Sequence, residues 1–133
     1  MHVLVAFDGS DPAREALEYA LTHRPDASLT VLYVIDPYEV GEFGSNTVFE
    51  VKRQAAKALL EEARELAADH GRPVATDHVV GKPAREIASY AGAEDVDHVV
   101  VGSHGRTGGS RLLLGSVAET TVRRSPVPVT VVR

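Results

Sequence analysis

Unbroken apolar runs alternate along this chain with stretches in which apolar residues return every three or four positions. The first run, Val3 to Phe7 (VLVAF), ends at the turn-forming cluster DGSDP, which predicts a strand buried on both faces. The period then changes. Ala13, Ala16, Leu17, Ala20 and Leu21 fall at helical spacing, with Ser10 or Asp11 as N-cap and Pro12 in the first turn. SLTVLYVI (28–35) is a second strand, and residues 36–47, with two Gly, one Pro and no period, read as a long loop. An amphipathic helix follows, with Ala55, Leu59, Ala63 and Leu66 on its apolar face and Gly71 as its stop. VATDHVV (74–80) is the third strand, KPAREIASYA (82–91) the third helix with Gly92 past its end, and DHVVVG (97–102) the fourth strand. SVAETTVRR (116–124) is a last helix and VPVTVV (127–132) a last strand.

Strand and helix alternate throughout, with crossovers long enough to hold helices. That order predicts an α/β, doubly wound, five-stranded parallel sheet with helices on both faces, in a Rossmann-like arrangement. The 133 residues fit a single domain spanning 1–133. Only 5% of them are aromatic and none is Trp, so the core must be built from Val, Leu, Ile and Ala, a palette that suits parallel strands under Ala-rich helices.

Charge narrows the function classes. The net charge is −5, and the 14 Lys and Arg are dispersed rather than clustered, which argues against a nucleic-acid surface. With no Cys, disulfides, thiolate catalysis and Cys-based metal sites are excluded. The opening apolar run is too short for a signal peptide or membrane span and has no basic lead-in, so a cytoplasmic protein without a membrane partner is expected.

In an open parallel sheet a ligand binds beyond the carboxyl ends of the strands, where the strand order reverses. With the first strand central, that point lies between strands one and four. The loops there are DGS (8–10) and the Gly-rich GSHGRTGGSRLLLGS (102–116). The latter is neither a Walker A loop, since the chain's three Lys stand at 52, 57 and 82, nor a G-x-G-x-x-G dinucleotide turn. Gly102 and Gly105 allow positive φ and close approach by a ligand, so that their backbone N–H groups can point into a shared concavity. Gly115 and Ser116 open a helix whose free N–H groups favour an anion, phosphate above all, with Arg106 and Arg111 on the rim. Ser116 to Glu119 also spells a capping box, S-V-A-E, which is compatible with phosphate contact. Gly108 and Gly109 are open to reading as loop flexibility alone.

Gly102-x2-Gly105-x9-Gly115-Ser116 resembles the G-2x-G-9x-G-[S/T] signature of the universal stress protein family. VAFDGS resembles that family's first strand and turn, VLYVID its second strand, and GKPAREI the element before its third helix. The resemblance runs over the whole chain. It implies a sheet ordered 3-2-1-4-5, of the adenine nucleotide alpha hydrolase-like type, with ATP held between strands one and four. By position it implies that Asp8 faces the ribose side, that Ala6 and Val34 line the adenine pocket, and that Gly102, Gly105, Gly115 and Ser116 hold ribose and phosphates. Ser103 and His104 would line the turn, and Val117 would follow the phosphate contact. On position alone, Asp8 is equally suited to cap its turn or helix, and Val34 to pack in a core. The six His show no metal-ligand spacing, and a divalent cation such as Mg or Mn would ride on the phosphates.

Three functions compete: a nucleotide-dependent regulatory or stress-response protein that holds ATP, a slow ATPase that needs a partner, and a nucleotide-free adaptor. Glu119, the nearest acid, would be used by the capping box, and no general base stands by the phosphate loop, so no catalytic residue is assigned. The intact signature favours the first function. Residues 127–133 would form the sheet's edge, where Val129, Val131 and Val132 are apolar and no charge precedes Arg133, so pairing with the same strand of a second chain in a homodimer is expected.

Overall fold

The structure, a computed structural model, describes residues 1–37, 46–104 and 113–133, with residues 46 and 47 described in their backbone only. Strand and helix alternate as β1 (His2–Ala6), α1 (Asp11–His23), β2 (Ser28–Ile35), α2 (Asn46–Asp69), β3 (Ala75–Val80), α3 (Pro83–Ala93), β4 (His98–Gly102), α4 (Ser116–Arg124) and β5 (Val129–Val132). The strands form one parallel sheet in the order β3-β2-β1-β4-β5. This is the expected doubly wound arrangement, with β1 central and the order reversing between β1 and β4.

Central strands read as continuous apolar runs because both of their faces are covered. Val3, Val5, Val31, Tyr33 and Val100 pack on one side with Ala16, Leu17 and Ala20 of α1 and Ala56, Leu60, Ala63 and Ala67 of α2. Leu4, Leu32, Val99 and Val101 pack on the other with Ile87 and Ala91 of α3 and Ala118 of α4. Val3, Leu4 and Val5 are all fully buried, each such side chain contributing about 1.5–3 kcal/mol relative to exposure. Small alanines on the helices let the axes approach the sheet closely.

Helix ends follow local chemistry. Ser10 caps α1, its hydroxyl accepting the Ala13 N–H at 3.2 Å. At the end of α2, Gly71 takes φ +68, its N–H donating to the Ala68 carbonyl and that of Arg72 to the Ala67 carbonyl, a Schellman stop. The Arg72 guanidinium then donates to the carbonyls of Leu21 at 3.0 Å and Ala27 at 2.5 Å, satisfying acceptors at and beyond the end of α1.

Several expected boundaries move. β1 starts at His2 and stops at Ala6, although Phe7 remains buried and donates its N–H to Leu32. α2 begins at Asn46, shortening the expected loop, of which residues 38–45 lie outside the described residues. The buried stripe of α2 is Ala56-Leu60-Ala63-Ala67, with Leu59 and Leu66 at its margin and Ala55 exposed. Gly92 lies inside α3 rather than past it, and Asp95, at φ 53, takes the left-handed position beyond its end. β5 starts at Val129, after Pro128. No helix among the described residues is long and apolar enough to cross a membrane.

Candidate functional site

The carboxyl ends of β1, β2 and β4 open on a cavity of about 950 Å³ between the tips of the sheet and the starts of α3 and α4. Ala6 and Val34 present its apolar wall from β1 and β2. Asp8 enters from the turn after β1, where Gly9 has φ +81. One carboxylate oxygen of Asp8 accepts the Ser10 N–H at 3.0 Å and the Ser10 hydroxyl at 2.5 Å. Asp8 thus does both things its position allowed: it shapes the turn and faces the cavity.

Across the sheet's reversal point, Gly102, His104, Gly115, Ser116 and Val117 line the same cavity. Ser103 does not line it. It is buried below the wall, where its carbonyl accepts the Gly115 N–H at 2.6 Å and its hydroxyl is 3.1 Å from His104 Nδ1. Gly105, with Arg106, Gly108, Gly109 and Arg111, lies outside the described residues.

Gly102 has a steric part that its sequence reading did not include. Gly102 does not have positive φ. A Cβ there would stand 2.7 Å from the backbone C and O of Pro12, so its missing side chain lets β4 close on the start of α1, while the residue itself still lines the cavity. At Gly115 a Cβ would meet the Ser103 carbonyl at 3.0 Å and His104 Cα at 3.2 Å.

Nor is there a capping box. Gly115, not Ser116, is the N-cap of α4, with no side-chain cap hydrogen bond. Glu119 instead pairs with Arg123 at 2.8 Å, one turn on. Among the described residues the amides of Ser116 and Val117 have no hydrogen-bond partner, and a helix start of this kind, with the positive end of its dipole toward the cavity, favours an anion. Beside it, His104 Nε2 is buried without a hydrogen-bond partner among the described residues, an arrangement that normally costs about 1–3 kcal/mol.

Residues 1–133 match the universal stress protein family. The chain belongs to that family. It is 35% identical over 145 residues to universal stress protein YxiE of Bacillus subtilis, covering 98% of this chain and 97% of the relative. Among solved structures, that of protein MJ0577 of Methanocaldococcus jannaschii superposes with a TM-score of 0.84 at 35% identity, covering 98% of this chain and 94% of the other. A universal stress protein crystallised in complex with cAMP superposes at 0.77 with 26% identity, covering 100% and 97%.

This universal stress protein domain also brings to the cleft residues that the loops after β1 and β4 did not reveal. Lys82, Pro83, Ala84, Arg85 and Ile87 enter from the start of α3, Asp36 from the end of β2, and Thr120 and Arg124 from α4. A usable signal existed for the first group. Every loop leaving a strand's carboxyl end lies on the ligand side of a parallel sheet, and Lys82-Pro83 leaves β3. No group of three or more potential metal-binding side chains occurs among the described residues.

Proposed function

We infer that this universal stress protein is a small dimeric regulatory protein of the cytoplasm that holds an adenine nucleotide, ATP, in the cleft between β1 and β4. One observation carries the reading: an apolar wall (Ala6, Val34), a carboxylate (Asp8) and an uncapped helix start (Ser116, Val117) converge on a single cavity. Those three chemistries match base, ribose and phosphate in turn. The structural relative that carries cAMP supports an adenine nucleotide as the guest.

The residues present fit the ligand. Ala6 and Val34 would flank the adenine, the Val34 backbone reading its edge, while Asp8 would accept hydrogen bonds from ribose hydroxyls. The amides of Ser116 and Val117 would take phosphate oxygens. His104 Nε2, which has no hydrogen-bond partner among the described residues, would gain one from the ligand. A divalent cation, if bound, would neutralise the phosphates. Phosphate recognition here rests on the backbone of α4 without a P-loop lysine, which suits holding a nucleotide better than rapid phosphoryl transfer.

Mass spectrometry of the small molecules released when the purified protein is denatured tests the reading, together with calorimetric titration of ATP. Released ATP or ADP, or a binding isotherm that Gly115→Val abolishes, is the expected result. No released nucleotide and no heat on titration would favour a nucleotide-free adaptor.

A further inference from the structure

We propose that Arg85 and Arg124 make the cleft selective for a nucleoside triphosphate over a monophosphate, an inference that rests on the nucleotide reading above. Val117, Thr120 and Arg124 stand three and four residues apart on α4 and all line the cavity. At 1.5 Å rise per residue this stripe continues about 10 Å from the amides of the first turn. An anionic chain leaving the start of α4 along this stripe would therefore reach the Arg124 guanidinium. Arg85 reaches the same cavity from α3.

Arg85 is the telling residue, because helix stability does not account for it. It is the third residue of α3, three positions after the Lys82 N-cap, which has no side-chain cap hydrogen bond. A cation there faces the positive end of the helix dipole, which destabilises the helix. Arg85 and Arg124 form no ion pair among the described residues, in contrast to Arg123, which is paired with Glu119. A guanidinium offers paired donors whose planar geometry fits phosphate oxygens. A monophosphate at the α4 amides would leave both guanidiniums in water, whereas the outer phosphates of a triphosphate would engage them.

Calorimetric titration of AMP and ATP into the wild type, Arg85→Ala and Arg124→Ala at low salt tests this. Each variant is expected to weaken ATP binding about tenfold while changing AMP binding less than about twofold. Arg85→Lys is expected to recover part of the loss, and added salt to narrow the ATP preference of the wild type. Equal loss of AMP and ATP affinity, or unchanged ATP affinity in both variants, overturns the assignment while the nucleotide reading stands. A wild type that binds both ligands equally well does the same. A wild type that binds neither overturns both.

Discussion

The Gly115 amide donates to the Ser103 carbonyl at 2.6 Å, so the backbone leaving β4 is fastened directly to the start of α4. The bond forms beside the cavity wall and fixes the end of α4 relative to the tip of the sheet. The close approach it needs tolerates only a small residue at 115.

Gly102→Ala and Gly115→Ala should therefore both destabilise, for different reasons and to different degrees. A Cβ at 102 would press on Pro12 backbone atoms at 2.7 Å, whereas the nearest atom to one at 115 is the Ser103 oxygen at 3.0 Å. Urea unfolding should show Gly102→Ala as the costlier change, at about 1–3 kcal/mol, the usual range for overpacking. Equal midpoints for Gly102→Ala and wild type would contradict the tight β4–α1 approach.

Asp8 and Ser10 should separate by function. Ser10→Ala removes the N-cap of α1 and is expected to cost about 1 kcal/mol with nucleotide affinity retained. Asp8→Ala removes the acceptor for Ser10 and also the carboxylate facing the cavity, so stability and affinity should fall together. Parallel melting curves and titrations decide it.

Thr121 is fully buried, and its hydroxyl has no hydrogen-bond partner among the described residues. Thr121→Val replaces that hydroxyl with a methyl of similar shape and should stabilise the protein by about 1 kcal/mol. A lower melting temperature would show that the hydroxyl is satisfied in solution.

His98 Nε2 and Thr130 Oγ1 share a hydrogen bond of 2.6 Å that ties β4 to β5. Burial, and secondarily the Arg24 charge, hold the His98 imidazole below its ordinary value of 6.5. The unfolded chain therefore takes up this proton more readily than the folded one. The resulting stabilisation is complete above about pH 6.5 and is lost as the pH falls below it. Denaturant unfolding at several pH values should show a smaller acid loss in His98→Asn than in the wild type, and matching slopes would remove His98 as a contributor.

β5 forms an outer edge of the sheet, with Val129, Val131 and Val132 half-buried. If this edge pairs two chains, sedimentation at micromolar concentration should give a dimer mass, and Val131→Asp should shift it toward monomer. A monomeric wild type would dispose of the β5 dimer.

The alternation of strand and helix was legible in the sequence because period is a local property. A helix repeating every 3.6 residues displays its buried face in any short window, and a strand covered on both faces shows as an unbroken apolar run. The expected strand order and the placing of Ala6 and Val34 came with the family resemblance, whereas the turn that carries Asp8 could be placed at a strand tip from chain order. Other features depend on residues far apart in the chain. Gly102 is confined by Pro12, ninety positions earlier, so its part in closing β4 on α1 cannot be read from its own neighbourhood in the chain. The stripe of α2 is set by which residues meet β2 and α1, so it centres on Ala56 and Leu60 rather than Ala55 and Leu59. Arg85 and Arg124, separated by 39 positions, line one cavity only because α3 and α4 pack on the same face of the sheet. Periodicity names the elements, but the walls of a cleft are chosen where those elements meet.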